Sequence, residues 1–190
     1  MNSWQEGIVV AIIGLGSMFG AIVGGPMCDY IGRWSSIQTQ NVCFILGAIC
    51  TAKANGVRML YFGRFIVGIA SAISAIADIP YLAEISPPSL RGQSICMYEI
   101  MVSIGVLVSF LVGWIIGTSS DSWRGAYLTP ALITCVLSFL MCLLPESPKW
   151  LAAKGRKDEL RSALMQIYGP NMFHFLWQSM ETSSSPSSRN

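Results

Sequence analysis

An all-α membrane bundle is the fold this sequence predicts, on three grounds. Hydrophobic residues make up 53% of the 190 positions and charged residues only 12%, a balance far from that of a water-soluble domain of this length. The apolar residues gather into stretches long enough to cross a bilayer, with most of the charged residues between them. Small residues recur inside those stretches at helical spacing, which suits helices packed closely in lipid.

A hydrocarbon core of about 30 Å needs about 20 predominantly apolar residues per helix. Five stretches qualify, at about 7–28, 37–54, 60–83, 94–117 and 125–144. The first follows Trp4, Gln5 and Glu6 in place of the basic segment of a cleavable signal, and its apolar run is too long for one. It carries Gly16, Gly20 and Gly24 at i, i+4 and i+8, with Ser17, Ala21 and Gly25 alongside, so one helix face is nearly bare backbone. Gly32 offers a hinge before the second span. The third span repeats the small residues with Gly63, Gly68, Ala70, Ser71, Ala72, Ser74, Ala75 and Ala77. Generic membrane packing and a polar pathway both use such residues. Trp123-Arg124 opens the fifth span, and Pro145-Glu146-Ser147-Pro148-Lys149-Trp150-Leu151 closes it. Pro145 cannot continue a helix, whereas Ser147 and Pro148 suit the N-cap and first turn of a new one.

Residues 148–168 pattern as a basic amphipathic helix on an anionic leaflet, with Trp150, Leu151, Leu160, Leu164 and Ile167 set against Lys154, Arg156, Lys157 and Arg161. Gly169-Pro170 ends it. Residues 145–170 are therefore expected to form a corner and a surface helix, and the Ser-rich residues 171–190 a disordered tail.

Basic residues set the orientation. The loops after spans one, three and five gather Arg33, Arg91, Lys149, Lys154, Arg156, Lys157 and Arg161, against Lys53, Arg58 and Arg124 on the other side. The first group is then cytoplasmic, as is the corner. The N-terminus falls outside, and a further span before Met1 would return it to the cytoplasm.

Three charges lie within spans: Arg64, Asp78 and Glu99. Each costs at least about 2.5–3.5 kcal/mol in hydrocarbon, so each is expected to face the bundle or a cavity. Arg64 and Asp78 lie about 21 Å apart along one helix and cannot pair. Asp78, near the inner end, can reach interfacial water.

Several functions find no support. A net charge of +2 gives no case for nucleic-acid binding. Cys28, Cys43, Cys50, Cys96, Cys135 and Cys142 lie in or beside apolar stretches without CxxC spacing, which fits small buried side chains better than disulfides or a metal. His174 has no constellation around it. No nucleophile set, phosphate-cradling loop or metal-spaced group appears, so neither an enzyme nor a cofactor or metal is expected.

The segment from Gly25 to Trp34, with Asp29, Gly32 and Arg33, resembles the G-x-x-x-D-x-x-G-R-R/K loop of the major facilitator superfamily, Trp34 replacing the last basic residue. Gly63-Arg64 through Glu84-Ile85-Ser86-Pro87 and Arg91-Gly92, then Trp123-Arg124, then the heptapeptide with Lys149 in place of Arg, resemble the sugar-porter family in order. The resemblance covers about residues 5–168 and corresponds to helices two to six of twelve, an incomplete N-terminal half. It implies that Asp29, Arg33, Glu84, Arg91, Glu146 and Lys149 form an inner-gate charge network. It also implies that Arg64 packs near the outer end and that Glu99 stands where a sugar-contacting glutamine is common. Glu99 could contact sugar hydroxyls, carry a coupled proton, or pair with a neighbouring helix.

The expected function is transport of a hexose or related polyol by alternating access, as a fragment of a carrier whose partners are the sugar, a coupled proton, the lipid bilayer and a second transporter half. The alternative is a non-transporting half-length protein that associates with a full-length relative, or a non-functional truncated product. Plasma and vacuolar membranes are equally compatible with the sequence.

Overall fold

The structure, a computed structural model, describes residues 3–87, 89–116 and 123–169. The N-terminus of α5 at Trp123 is placed, but the side chains of Trp123 and Arg124 lie outside the described residues, as do His174 and the Ser-rich tail. Five long helices form the bundle: α1 (Ser3–Ile31), α2 (Arg33–Ala52), α3 (Val57–Ile85), α4 (Arg91–Ile116) and α5 (Trp123–Met141). The short α6 (Pro148–Ala153) and α7 (157–169) follow.

The glycines predicted for close packing make a backbone seam between α1 and α3. A methyl group at Gly20 would lie 2.5 Å from the Ile69 carbonyl oxygen, and one at Gly16 would collide with the carbonyl of Phe65. Gly68 faces Ile13 and Gly16 from the other side, and Ser17 Oγ donates to Gly68 O at 3.1 Å. Gly47 and Gly63 bring α2 against α3 in the same way. Such contacts gain dispersion and backbone proximity where lipid offers no hydrophobic drive.

Among the described residues, three helices, Gly7–Ile31, Val57–Ile85 and Arg91–Ile115, are long and apolar enough by themselves to cross a membrane. The second and fifth expected spans fall short for different reasons. The apolar part of α5, Tyr127–Met141, is short, whereas α2 carries Gln38, Gln40 and Asn41. Gln38 is paired inside the bundle: its Nε2 donates to Ser138 O at 3.2 Å, and Ser138 Oγ returns a bond to its Oε1 at 2.9 Å. Paired amides cost little of what a lipid-facing amide would. α4 is the lightly packed member, with none of its most apolar window buried.

The corner follows the sequence closely at its start. Pro148 begins α6, and Ser147 Oγ accepts from Trp150 N–H at 3.4 Å. Beyond Ala153 the single amphipathic helix expected over 148–168 is replaced by two, because Gly155 at φ +72 turns the chain. Leu151, Leu160, Ala163 and Leu164 then bury against one another with Trp150 and Tyr168 beside them. Burying each leucine contributes about 1.5–3 kcal/mol, so these residues form a small core of their own. Gly169, at φ +70, stands at the expected stop.

Candidate functional site at the corner end

The last turns of α1 and α3, the first turn of α2 and the segment after α5 converge at one end of the bundle. Glu146 is central there. Its Oε1 accepts from Trp34 N–H and from Ser147 N–H, both at 2.9 Å, so the carboxylate caps the positive end of α2. Gly32, at φ +108 and ψ 164, lets the chain pass beneath that carboxylate. A methyl group there would lie 2.9 Å from Glu146 Cδ and collide with Oε2. Trp34, standing at the divergent position of the loop motif, donates its indole N–H to Met141 O at 2.9 Å and packs beside Cys28, Ile37, Ala77 and Tyr81.

Arg33 links two acids. It donates to Asp29 Oδ1 at 2.8 Å, across the break between α1 and α2 and not along one continuous helix. Its Nε stands 3.9 Å from Glu84 Oε2, an ion pair too long for a hydrogen bond. Desolvation alone would lower the Arg33 pKa, but the Asp29 hydrogen bond and the charges of Glu84 and Asp29 more than offset this and hold it above its ordinary value. Glu84 in turn accepts from Ser147 Oγ. Asp29, Arg33, Glu84 and Glu146 thus form one assembly.

The other two expected members stand apart from it. Arg91 Nε donates to Ala83 O at 2.7 Å, so it caps the end of α3 and makes no ion pair among the described residues. Lys149 is exposed and makes no ion pair there either. Its ammonium lies at the start of α6, where the helix dipole offers a cation nothing.

Contacts of neutral groups, which sequence spacing does not reveal, complete the clamp. Tyr81 donates to Pro145 O at 2.7 Å, Trp150 Nε1 to Asp29 O at 3.1 Å, and Tyr168 to Ile85 O at 3.0 Å. The corner is thereby tied to α1 and α3. Tyrosines beside helix ends were its only available signal.

Of the charges within spans, Arg64 stacks over the Tyr127 ring at 4.5 Å and donates to its hydroxyl. Asp78 accepts from Gln40 Nε2 at 3.1 Å and from Ser74 Oγ. Glu99 is exposed on α4, beside Ile100, Ser103, Ile104 and Leu107. No group of three or more metal-ligating side chains occurs among the described residues.

The sequence matches the family described as "Sugar (and other) transporter" over residues 2–174. It is 34% identical over 171 residues to the major myo-inositol transporter IolT of Bacillus subtilis, covering 88% of this chain and 36% of that protein. It is 35% identical over 163 residues to the arabinose-proton symporter of Escherichia coli, covering 86% of this chain and 34% of that one. The chain thus spans about a third of the length of these relatives. The fold superposes with a TM-score of 0.85 on the major facilitator superfamily proton:xylose symporter XylE bound to 6-bromo-6-deoxy-D-glucose, at 22% identity, over 94% of this chain and 43% of that one. These relatives are transporters and not enzymes. With the family pattern matched across most of its length and its helices arranged as in a major facilitator superfamily symporter, the chain belongs to the sugar transporter family of multi-pass integral membrane proteins.

Proposed function

We propose that the chain forms part of a carrier that moves a hexose or related polyol across a membrane by alternating access, and that the corner assembly is its share of the inner gate. The observation that carries this reading is the joining of Asp29, Arg33, Glu84 and Glu146 from four segments at one end of the bundle. Partly exposed ion pairs are worth little singly. Two that open together with the hydrogen bonds of Glu84 and Glu146 separate two conformations by a few kcal/mol, the scale on which a substrate shifts a population. The excess of basic residues at this end supports a cytoplasmic position for it.

Glu99 is the proposed contact with substrate or with a coupled proton. It stands on α4, which buries none of its most apolar stretch among the described residues. A carboxylate so placed can accept hydrogen bonds from sugar hydroxyls, or take up a proton from water and couple its movement to that of the substrate.

The test replaces the corresponding segment of the arabinose-proton symporter with residues 5–168 and measures uptake of pentoses, hexoses and polyols in cells. A carrier segment restores saturable uptake, and Glu99→Gln removes its pH dependence while sparing exchange. A chimera that reaches the membrane yet takes up none of these solutes refutes the reading. If pH dependence survives Glu99→Gln, the proton role fails alone.

A further inference from the structure

Away from the corner, a half-open cavity of about 260 Å³ lies among α2, α3 and α5; Gln40, Asn41, Ser71, Ser74, Asp78 and Thr134 bring oxygen-bearing side chains to it, and Phe44, Ala70 and Leu137 supply the rest of its wall. Asp78 accepts from Gln40 and Ser74 but has no ion pair among the described residues. Arg33, Arg64 and Arg91 are engaged elsewhere: Arg33 by Asp29 and Glu84, Arg64 by Tyr127, and Arg91 by Ala83. From α4, Tyr98 interacts with Ser74 and lies in the field of Asp78, with Glu99 next along the chain. On the packed face of α1, the nearest titratable groups are Cys28, buried beside Ala77, and Asp29, already bound to Arg33. From α6, Lys149 is exposed at the corner.

A second observation points to a ligand. Gln40 is 6% exposed, and its Oε1 is buried with no hydrogen-bond partner among the described residues. Protonating Asp78 does not resolve this. A carboxylic acid donating to Oε1 would require the amide to turn over, leaving its NH₂ group unpartnered in place of the oxygen. A bound cation satisfies both groups at once, since it takes oxygen ligands from the carboxylate and the amide and leaves the two existing hydrogen bonds intact.

The geometry points to a site for one small alkali cation, such as Na⁺, held by Asp78 and Gln40 with hydroxyls of Ser71, Ser74 and Thr134 around it. Charge balance selects the valence. A single carboxylate neutralises a monovalent ion, whereas a divalent ion would leave an uncompensated charge among membrane helices, at high cost. Hard cations prefer such oxygen donors. The volume admits an ion with several waters, each of which occupies about 30 Å³ in the liquid.

The purified chain in detergent or nanodiscs tests this without reference to uptake. Replacing choline chloride by sodium chloride at constant ionic strength raises Tm, by roughly 5–10 °C at a hundredfold excess over the dissociation constant. Asp78→Asn abolishes the rise, and Lys149→Ala retains it. Should Asp78→Asn fail to fold, Gln40→Leu still decides the matter, raising the sodium concentration needed by roughly tenfold or more. A wild-type Tm indifferent to sodium overturns the proposal, as does a rise that persists in Asp78→Asn. So does an infrared band showing Asp78 protonated at neutral pH and unmoved by sodium.

Discussion

Gly32→Ala is the substitution that most directly interrogates the corner. At φ +108 and ψ 164 the residue occupies backbone space that is nearly glycine-only, and forcing an L side chain there costs on the order of 1–3 kcal/mol. A second cost comes from the neighbour. The added methyl group would press on the Glu146 carboxylate, with Cδ at 2.9 Å, and drive it from the N–H groups of Trp34 and Ser147. Charge-assisted bonds of this kind contribute roughly 1.5–3 kcal/mol each. Halving that for a partly exposed carboxylate leaves roughly 1.5–3 kcal/mol for the pair. Gly32→Ala is therefore expected to destabilise the chain by roughly 2.5–6 kcal/mol.

In a Glu146→Ala background only the backbone component should remain. A double-mutant cycle, read by reversible detergent unfolding with far-UV circular dichroism, isolates the difference. A coupling energy of roughly 1.5–3 kcal/mol is expected. Equal cost of Gly32→Ala in both backgrounds would refute the contact as the reason glycine stands there.

Gly20→Leu should separate α1 from α3 and cost at least about 3 kcal/mol in the same unfolding assay, whereas Gly25→Ala, with open space around it, should stay within about 0.5 kcal/mol. Lys149→Ala should likewise change stability by less than about 0.5 kcal/mol, while Arg33→Ala, which leaves Glu84 without its cation, should cost roughly 1–3 kcal/mol. Burial pushes the Tyr168 hydroxyl above its ordinary value of 10.0, against the pull of Arg91. The unfolded chain then releases that proton first, so this stability is present below pH 10 and is lost as pH rises through the raised folded value. Alkaline unfolding of wild type and Tyr168→Phe should show the variant losing less stability over that window.

The helices were legible because membrane helices carry their periodicity and length in the residues themselves. Gly16, Gly20 and Gly24 marked the face that meets α3, and Ser147-Pro148 marked the start of α6. Contacts made across the chain were harder to read. Glu146 reaches Trp34 N–H, a backbone group with no identity in the sequence, and the pairing of Gln40 with Asp78 depends on the rotation of α2 against α3. Lys149 was grouped with the corner charges by a resemblance in residue type, yet its position at the start of α6 directs it to water. The break at Gly155 was missed for a physical reason: the apolar residues on its two sides keep helical spacing even though they face one another across a turn.

The seam between α1 and α3 has a mechanical consequence. Where two helices meet through leucines, rotamer changes absorb small displacements. Here the contact runs backbone to backbone at Gly16, Gly20 and Gly68, with no side chain between to yield. A force applied where the corner grips Asp29 and Ile85 would therefore pass along the pair with little loss. Both helices would tilt together, as a stiff double rod pivoting on its lipid-embedded length.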